Sequence, residues 1–487
     1  MTMTVVLGGL ALLVPLLCGA LWLRAGWGRG APSGFWAMAL GYGYILGVLA
    51  ATVLLRLLDA LTLPLNFAIP ALLMAGTAMG SAWWAWRTAR DSTGTGRIDD
   101  EAPPPWQRWL WIALLAWLTI RMITLALEVI WLPLFPWDAW STWMVRPQAW
   151  LAARQLLAFQ DARTWLNDAS GQVYHIEAWR YPLTVSLIAL WSALASGQWQ
   201  ENLVNLSWWV CGLALGLGFY GQARLWGAKP LQAMTFAWLL LTLPLLDVHM
   251  ALAGYADLWL TAVFGLAAMA FMQWIRFRDR RQGVLALLLA LFCPSIKQEG
   301  WVWVALFVPA LLAAVLPKRY GLGLVGLLAL LLCGGLILGL GGFDHASSGV
   351  SPTIADILQT LGISHFRLVY WDSGQPVIES LLILDNWHLL GYLILVALLG
   401  VGGLLARQAT HAGGSEGQRR DLWTTTLFVL SLATAFFGLF FLTEAGRWAE
   451  DFTSINRIIL HFVPALLFWT LTVFVAPRGL TRETRAD

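Results

Sequence analysis

The sequence predicts an all-α polytopic membrane protein, and three observations support this fold class. Of the 487 residues, 59% are hydrophobic and only 12% are charged, whereas soluble domains carry about 25% charged residues. Apolar runs of about twenty residues, the length that crosses roughly 30 Å of hydrocarbon, recur from one end of the chain to the other. Many of the 32 tryptophans flank these runs, which is the interfacial position that tryptophan prefers.

About 13–14 apolar segments meet this length criterion. They occupy residues 4–23, 34–55, 65–86, 109–132, 181–196, 202–221, 231–246, 258–275, 281–293, 299–317, 321–342, 387–406, 422–442 and 458–476. Lys and Arg collect in alternate connections, which predicts cytoplasmic loops there, an outer N-terminus and an inner C-terminus. The connections predicted on the outer face are 133–180, 247–257, 294–299, 343–386 and 443–457.

One stretch conflicts with this alternation. Three segments lie between the outer connections 133–180 and 247–257, and an odd number of crossings cannot return a chain to the same face. Either the short segment 181–196 is re-entrant or one boundary is wrong.

Composition divides the chain into four parts. Residues 1–100 form a three-span extension with a polar cytoplasmic linker, and 101–342 form a core that contains the outer loop 133–180. Residues 343–386 form a second outer loop, and 387–487 form the last spans and a cytoplasmic tail. The four cysteines all lie in apolar segments, so neither a disulfide framework nor a zinc site is indicated. No Lys/Arg-rich run indicates nucleic-acid binding.

The candidate catalytic residue is Asp138, which directly follows the segment 109–132. A carboxylate at this edge is not explained by packing, because burying an unpaired acid beside lipid is costly. From Trp140 to Phe159, apolar residues recur at helical spacing with Arg146 off the stripe. Pro147 is expected to divide this stretch into two short interfacial helices. An ordinary loop helix that covers the bundle explains the same pattern.

Other charged residues collect on the predicted outer face. Arg180 precedes Pro182 at the start of a helix, and Asp257 heads the segment 258–275. Arg180 would hold a lipid phosphate or snorkel to headgroups, and Asp257 would act in the site or merely cap its helix. Further cations are expected to bind a donor phosphate: Lys297, Arg447 and Arg457. Residues expected to line the substrate site are Trp137, Trp140, His175, Tyr181, Tyr255, Glu299 and His461.

At these residues the chain resembles the GT-C superfamily of integral-membrane glycosyltransferases. It is similar to bacterial members related to protein O-mannosyltransferases and the lipid A aminoarabinose transferase. Trp137-Asp138-Ala-Trp140 resembles the family's acidic motif after a span, and Arg180-Tyr-Pro-Leu183 resembles the basic end of its outer loop. The resemblance implies that Asp138 is the catalytic base and that Arg180 contacts a lipid phosphate. It also implies that Asp257 supports a metal or the acceptor. Four spans precede the acidic loop here, whereas the family usually has one.

The function predicted from these residues is transfer of a sugar from a polyprenyl-phosphate donor to an acceptor hydroxyl, with inversion, on the outer or periplasmic face. The acceptor is a glycan, a lipid or a protein, membrane lipids surround the chain, and a bacterial inner membrane is the expected location. The sequence does not decide whether a divalent metal ion takes part, because no cluster of acids or histidines adjoins Asp138. One alternative is a transporter or flippase for a lipid or small solute, for which Arg121 and Glu128 inside a span are the main signal. Another is a scaffold that docks through residues 1–100.

Overall fold

The computed structural model describes residues 2–28, 31–90, 103–317, 369–410 and 416–475, together with a few helical positions between 320 and 327. It is all-α apart from one pair of three-residue strands. The first eight helices are α1 Thr2–Trp27, α2 Phe35–Ala60, α3 Ala68–Arg90, α4 Pro105–Trp131, α5 Val145–Ala153, α6 Ala162–Leu166, α7 Thr184–Ser196 and α8 Glu201–Trp226. The next six are α9 Pro230–Leu241, α10 Pro244–Ala251, α11 Ala256–Phe277, α12 Arg280–Ile296, α13 Gly300–Ala305 and α14 Phe307–Val315. The last four are α15 Gly374–Ile378, α16 Leu390–Thr410, α17 Glu416–Leu442 and α18 Thr453–Phe474.

The prediction of an all-α polytopic membrane protein is confirmed. Seven helices in the described part of the chain are long and apolar enough to cross a membrane. The pair α9 and α10, bent by 64° at residues 242–243, forms an eighth if it is counted as one span. Most of the predicted segment 321–342 and most of the loop 343–386 lie outside the described residues.

The chain divides into two compact units. Unit 1 comprises residues 1–266 and 475–487, and unit 2 comprises residues 267–474. The three N-terminal helices therefore pack into the same unit as α4 to α10.

Close backbone contact joins the N-terminal helices to the rest of unit 1. A Cβ added to Gly41 of α2 would lie 2.3 Å from the carbonyl oxygen of Ala214 in α8. Small residues permit this approach of two helices where lipid supplies no hydrophobic driving force. The phenol of Tyr42 adds a buried hydrogen bond of 2.7 Å to the carbonyl of Leu266 in α11.

The contacts of α8 resolve the conflict over segment 181–196. At its start, the carboxylate of Glu201 accepts a 2.9 Å hydrogen bond from the backbone N–H of Leu134, just after α4. Near its end, Arg224 donates a 2.8 Å hydrogen bond to Ser33, in the connection between α1 and α2. Four residues separate the end of α7 from the start of α8, and the 13-residue helix α7 is too short to span the bilayer. If the bent pair is counted as one span, it and α8 are the two crossings of this stretch, an even number.

The first outer connection contains short helices and one small sheet. A π-helical turn, Ala139–Trp143, precedes α5. Strands β1 Ala158–Gln160 and β2 Val173–His175 then pair in parallel around α6. The helical stretch breaks at Met144, so the expected break at Pro147 is wrong. Pro147 lies in the first turn of α5, where a missing N–H costs nothing.

Unit 2 packs the described end of the second outer connection beside α17. The backbone N–H of Trp371 donates to the carbonyl of Phe441, and that of Val369 donates to the carbonyl of Leu442. After α15, a π-helical turn Glu379–Ile383 and a 3₁₀ turn Asp385–Trp387 lead to α16. A second 3₁₀ turn, Glu444–Trp448, joins α17 to α18.

Candidate functional site

Asp138 lies at the start of the π-helical turn Ala139–Trp143 and is partly exposed. The tryptophans on either side face outward, with Trp137 68% and Trp140 46% exposed. Their rings meet edge to face with centroids 4.4 Å apart. The carboxylate is therefore bordered by an exposed aromatic pair, which suits contact with a lipid chain or with the apolar face of a sugar.

A second predicted motif packs directly on this turn. Gly254 adopts a φ of +112°, and a Cβ built on it would lie 2.3 Å from the Cβ of Ala139. Glycine is required here both for the backbone angle and for the space. Three residues later, Asp257 occupies the first turn of α11 and is 1% exposed. The Asp138 and Asp257 motifs, more than a hundred residues apart in sequence, thus share one contact.

Tyr255 is held from two sides between these motifs. Its carbonyl accepts a 2.7 Å hydrogen bond from the indole N–H of Trp208 in α8. Its ring lies 5.1 Å from the ring of His249, centroid to centroid. These contacts fix the turn that carries Gly254 against α8 and α10.

The third motif, around Arg180, is anchored by a buried cation. Arg146 of α5 is 0% exposed and donates to the carbonyls of Ala178, Trp179 and Tyr181 at 3.1, 2.6 and 2.9 Å. Burial lowers the pKa of Arg146 to about 10. Its expected place on the solvent-facing side of an amphipathic helix is therefore wrong, because backbone carbonyls replace water around the guanidinium.

The anchored segment lies against the Asp138 turn. The ring of Tyr181 is 5.2 Å from that of Trp143, centroid to centroid. The hydroxyl of Ser186, in the first turn of α7, donates a 2.7 Å hydrogen bond to the carbonyl of Trp143. Arg180 itself is exposed, with its guanidinium 4.9 Å from the centroid of the Trp179 ring. Unit 1 therefore brings together the segments of Asp138, Arg180 and Asp257.

His175, which the sequence predicts to line the substrate site, packs within the small sheet through contacts with Gln160 and Trp165. Its Nδ1 lies 2.8 Å from the carbonyl oxygen of Gln160, and its ring stacks on Trp165 with centroids 5.9 Å apart. Two acids order the same region: Asp161 caps α6 and Asp168 accepts from three backbone N–H groups. Hydrogen bonds, first those from the hydroxyls of Thr164 and Ser170, lower the pKa of both carboxyls.

The remaining predicted residues lie in unit 2. Lys297 is nearly buried and pairs with Glu299 at 3.2 Å between Nζ and Oε1, in the turn between α12 and α13. One helical turn further, the ring of Trp303 lies 6.0 Å from that of His461, which is buried in α18. These contacts link the Lys297–Glu299 pair with His461.

Two arginines predicted to bind phosphate lie near the beginning of α18. Arg447 is exposed in the turn Glu444–Trp448, with its guanidinium 4.7 Å from the centroid of the Trp448 ring. Arg457 is partly buried in the second turn of α18.

One ion pair joins two helices of unit 1, and the sequence predicts only one of its partners inside a span. Arg121 of α4 donates from Nε to the carboxylate of Asp247 at 2.7 Å. The sequence predicts Arg121 within a span but places Asp247 in the outer connection 247–257. It lies instead in α10, with a side chain 5% exposed against 41% for Arg121. The signal for a helix here was Pro244, at the position where proline starts a helix.

Among the residues that the structure describes, no group of three His, Cys, Asp or Glu side chains could hold a metal ion. Comparison of the chain with protein-family profiles, curated proteins and solved structures gave no match.

Proposed function

We propose that this membrane protein is a glycosyltransferase that uses a sugar linked to polyprenyl phosphate. The observation that supports this is that unit 1 packs together three segments, which carry a partly exposed carboxylate, an exposed arginine and a buried second carboxylate. Asp138 borders exposed tryptophans, and the anchored segment presents Arg180 at the surface. A base beside a cation is the minimum that transfer from a lipid phosphate requires.

In the proposed reaction, Asp138 takes the proton of the acceptor hydroxyl. The acceptor oxygen attacks the anomeric carbon in line with the departing phosphate, so a carbon–oxygen bond forms with inversion. The bond between the anomeric carbon and the phosphate oxygen breaks, and its electron pair leaves with the phosphate. Arg180 would neutralise that charge. The phosphate is already a good leaving group, so no second carboxylic acid is needed to protonate it.

The roles of the other residues follow from their surroundings. Asp257 would support the acceptor side of the site from its buried position beside Gly254. Lys297, Arg447 and Arg457 in unit 2 stay predicted donor-phosphate ligands. The reaction would take place on the outer face of a bacterial inner membrane, with a glycan, lipid or protein as acceptor.

Substitution Asp138→Asn tests the proposal. The purified variant is expected to remain folded and to bind the lipid donor but to lose transfer, since the amide cannot take a proton at neutral pH. The assay supplies a panel of polyprenyl-phosphate sugars and measures released polyprenyl phosphate. Asp168→Asn, in the same outer connection, is the matched control and should keep full activity. Undiminished release by the Asp138 variant would rule out this mechanism.

A transporter or flippase is the second candidate, favoured by the Arg121–Asp247 pair beside the break between α9 and α10. Charged pairs on broken helices are typical of transport pathways. A cysteine at position 138, labelled with a membrane-impermeant reagent, separates the two functions. Labelling from the outer face alone is expected for the transferase. Labelling that alternates between faces with solute would support transport.

A further inference from the structure

The N-terminal helices contact the outer connection through their own outer turn, residues 59–67. The backbone N–H of Leu65 donates a 2.8 Å hydrogen bond to the carbonyl of Arg154. Two residues on, the N–H of Leu156 donates at 2.9 Å to the Oδ1 of Asp59 at the end of α2. The turn that ends α5 is thus hydrogen-bonded to α2 and to the connection between α2 and α3.

The same helices hold α7 by separate contacts. Arg56 of α2 donates a 3.0 Å hydrogen bond to the hydroxyl of Thr184, the first residue of α7. The indole N–H of Trp191 donates at 2.8 Å to the carbonyl of Ala11 in α1. On its other side, the ring of Trp191 lies 4.4 Å from that of Phe67, centroid to centroid. The segment that carries the Asp138 and Arg180 motifs therefore meets the N-terminal helices in its middle, at residues 154–156, and where it enters α7.

Asp59 holds the turn that ends α5 in its left-handed conformation. Arg154 ends α5 in the left-handed conformation, with a φ of +56°, which is unfavourable for a side chain larger than glycine unless the surroundings enforce it. The carboxylate of Asp59 accepts from the N–H of Leu156, two residues beyond Arg154. Only Met144 separates α5 from the turn that follows Asp138. A change at Arg154 would therefore shift α5 and, with it, the Asp138 turn.

We infer that α1–α3 form a docking platform for the outer connection, and that Asp59 is the positioning residue that holds the Arg154 turn on it. The N-terminal extension is then part of the machinery that shapes the outer site. A separate module for docking other proteins would not need hydrogen bonds to α5 and α7. The consequence for catalysis, but not the platform itself, rests on the proposed transferase function.

Limited trypsin digestion of the purified full-length protein tests the platform. Trypsin cleaves after Arg154, which the platform holds, and after Arg163, an exposed residue of α6 in the same connection. Asp59→Ala is expected to raise the cleavage rate at Arg154 about tenfold, because a lost hydrogen bond to a charged group raises the open population by that order. The rate at Arg163 should stay unchanged, and Asp59→Asn should restore much of the protection, since its amide oxygen still accepts.

Asp168→Ala is the matched control, since it removes a carboxylate that orders the other half of the same connection. It should leave the rate at Arg154 unchanged. An unaltered Arg154 rate in Asp59→Ala would overturn the inference, and so would an equal rise at both arginines, which means general unfolding. In the transfer assay, Asp59→Ala should lower the turnover rate. If cleavage responds as expected while even the wild-type protein transfers no sugar, the platform stands and the proposed function fails.

Discussion

Replacing Gly254 with alanine tests whether the contact between the Asp138 and Asp257 motifs is needed. The added Cβ would lie 2.3 Å from the Cβ of Ala139, on a backbone with a φ of +112°. Two carbons need about 3.5–4.0 Å, so the two turns must separate by about 1.2–1.7 Å. The residue displaced is the immediate neighbour of Asp138.

The magnitude follows from two costs. A side chain at this backbone angle costs about 1–3 kcal/mol, and overpacking of a close contact costs about 1–3 kcal/mol more. We therefore expect Gly254→Ala to lower the free energy of unfolding by about 2–6 kcal/mol. Transfer should fall by about a hundredfold, because a displacement of about 1 Å in a reacting geometry has that effect.

Two measurements test this prediction. Unfolding of the purified protein in mixed micelles gives the stability, and release of polyprenyl phosphate by the folded protein gives the transfer rate. Gly197→Ala is the matched control, since Gly197 has a φ of +77° and its Cβ would meet no atom within 4 Å. It should cost only the backbone strain, about 1–2 kcal/mol, and leave transfer intact. Equal destabilisation by the two substitutions would refute the argued contact, and normal transfer by Gly254→Ala would show that the contact does not shape the site.

Two further predictions concern the outer connection. Arg146→Met removes the buried donor that serves three part-buried carbonyls, so we expect the free energy of unfolding to fall by about 2–4 kcal/mol. Arg146→Lys should recover part of this loss. Chemical denaturation measures both variants, and a stability equal to wild type would contradict the anchoring role. The lowered pKa of Asp161 and Asp168 means that their hydrogen bonds stabilise the folded loop fully above their ordinary value of 3.8 and progressively less as the pH falls through the folded-state pKa. Hydrogen exchange at Thr164 and Val173, corrected for intrinsic rates, should therefore show constant protection from pH 7 to 5 and a progressive loss as the pH falls below 3.8. A loss of protection that begins between pH 7 and 5 would contradict this prediction.

The spans could be predicted from sequence because the bilayer leaves the backbone few choices. Without water, each N–H and carbonyl must be satisfied within the chain, so apolar runs of sufficient length become helices. The run 202–221 became α8, Glu201–Trp226, and the run 258–275 became α11, Ala256–Phe277. The short run 181–196 could not be placed this way, because its position depends on how Glu201 and Leu134 meet.

The candidate site was less predictable because its geometry depends on tertiary contacts. Helical spacing assigned Arg146 to a polar face, on the assumption that water would solvate the charge. The carbonyls that replace the water belong to residues more than thirty positions away, and local spacing carries no information about them. The need for glycine at position 254 follows only from its packing on Ala139 and its positive φ. The three-residue strands around α6 are too short to give a period-two pattern.

Arg146 holds residues 178–181 through their main chain, so this contact does not depend on which side chains they carry. The guanidinium donates its hydrogen bonds to main-chain oxygens of Ala178, Trp179 and Tyr181, and every amino acid supplies the same oxygen. Side chains at 178–181 can therefore be exchanged without rebuilding the anchor, provided that the backbone path is kept. Under the proposed function, substitutions at 180 or 181 alone would change which headgroup or sugar binds there. The fold thus fixes the backbone of residues 178–181 while it leaves their side chains free to differ, and in the proposed site these side chains would select the substrate.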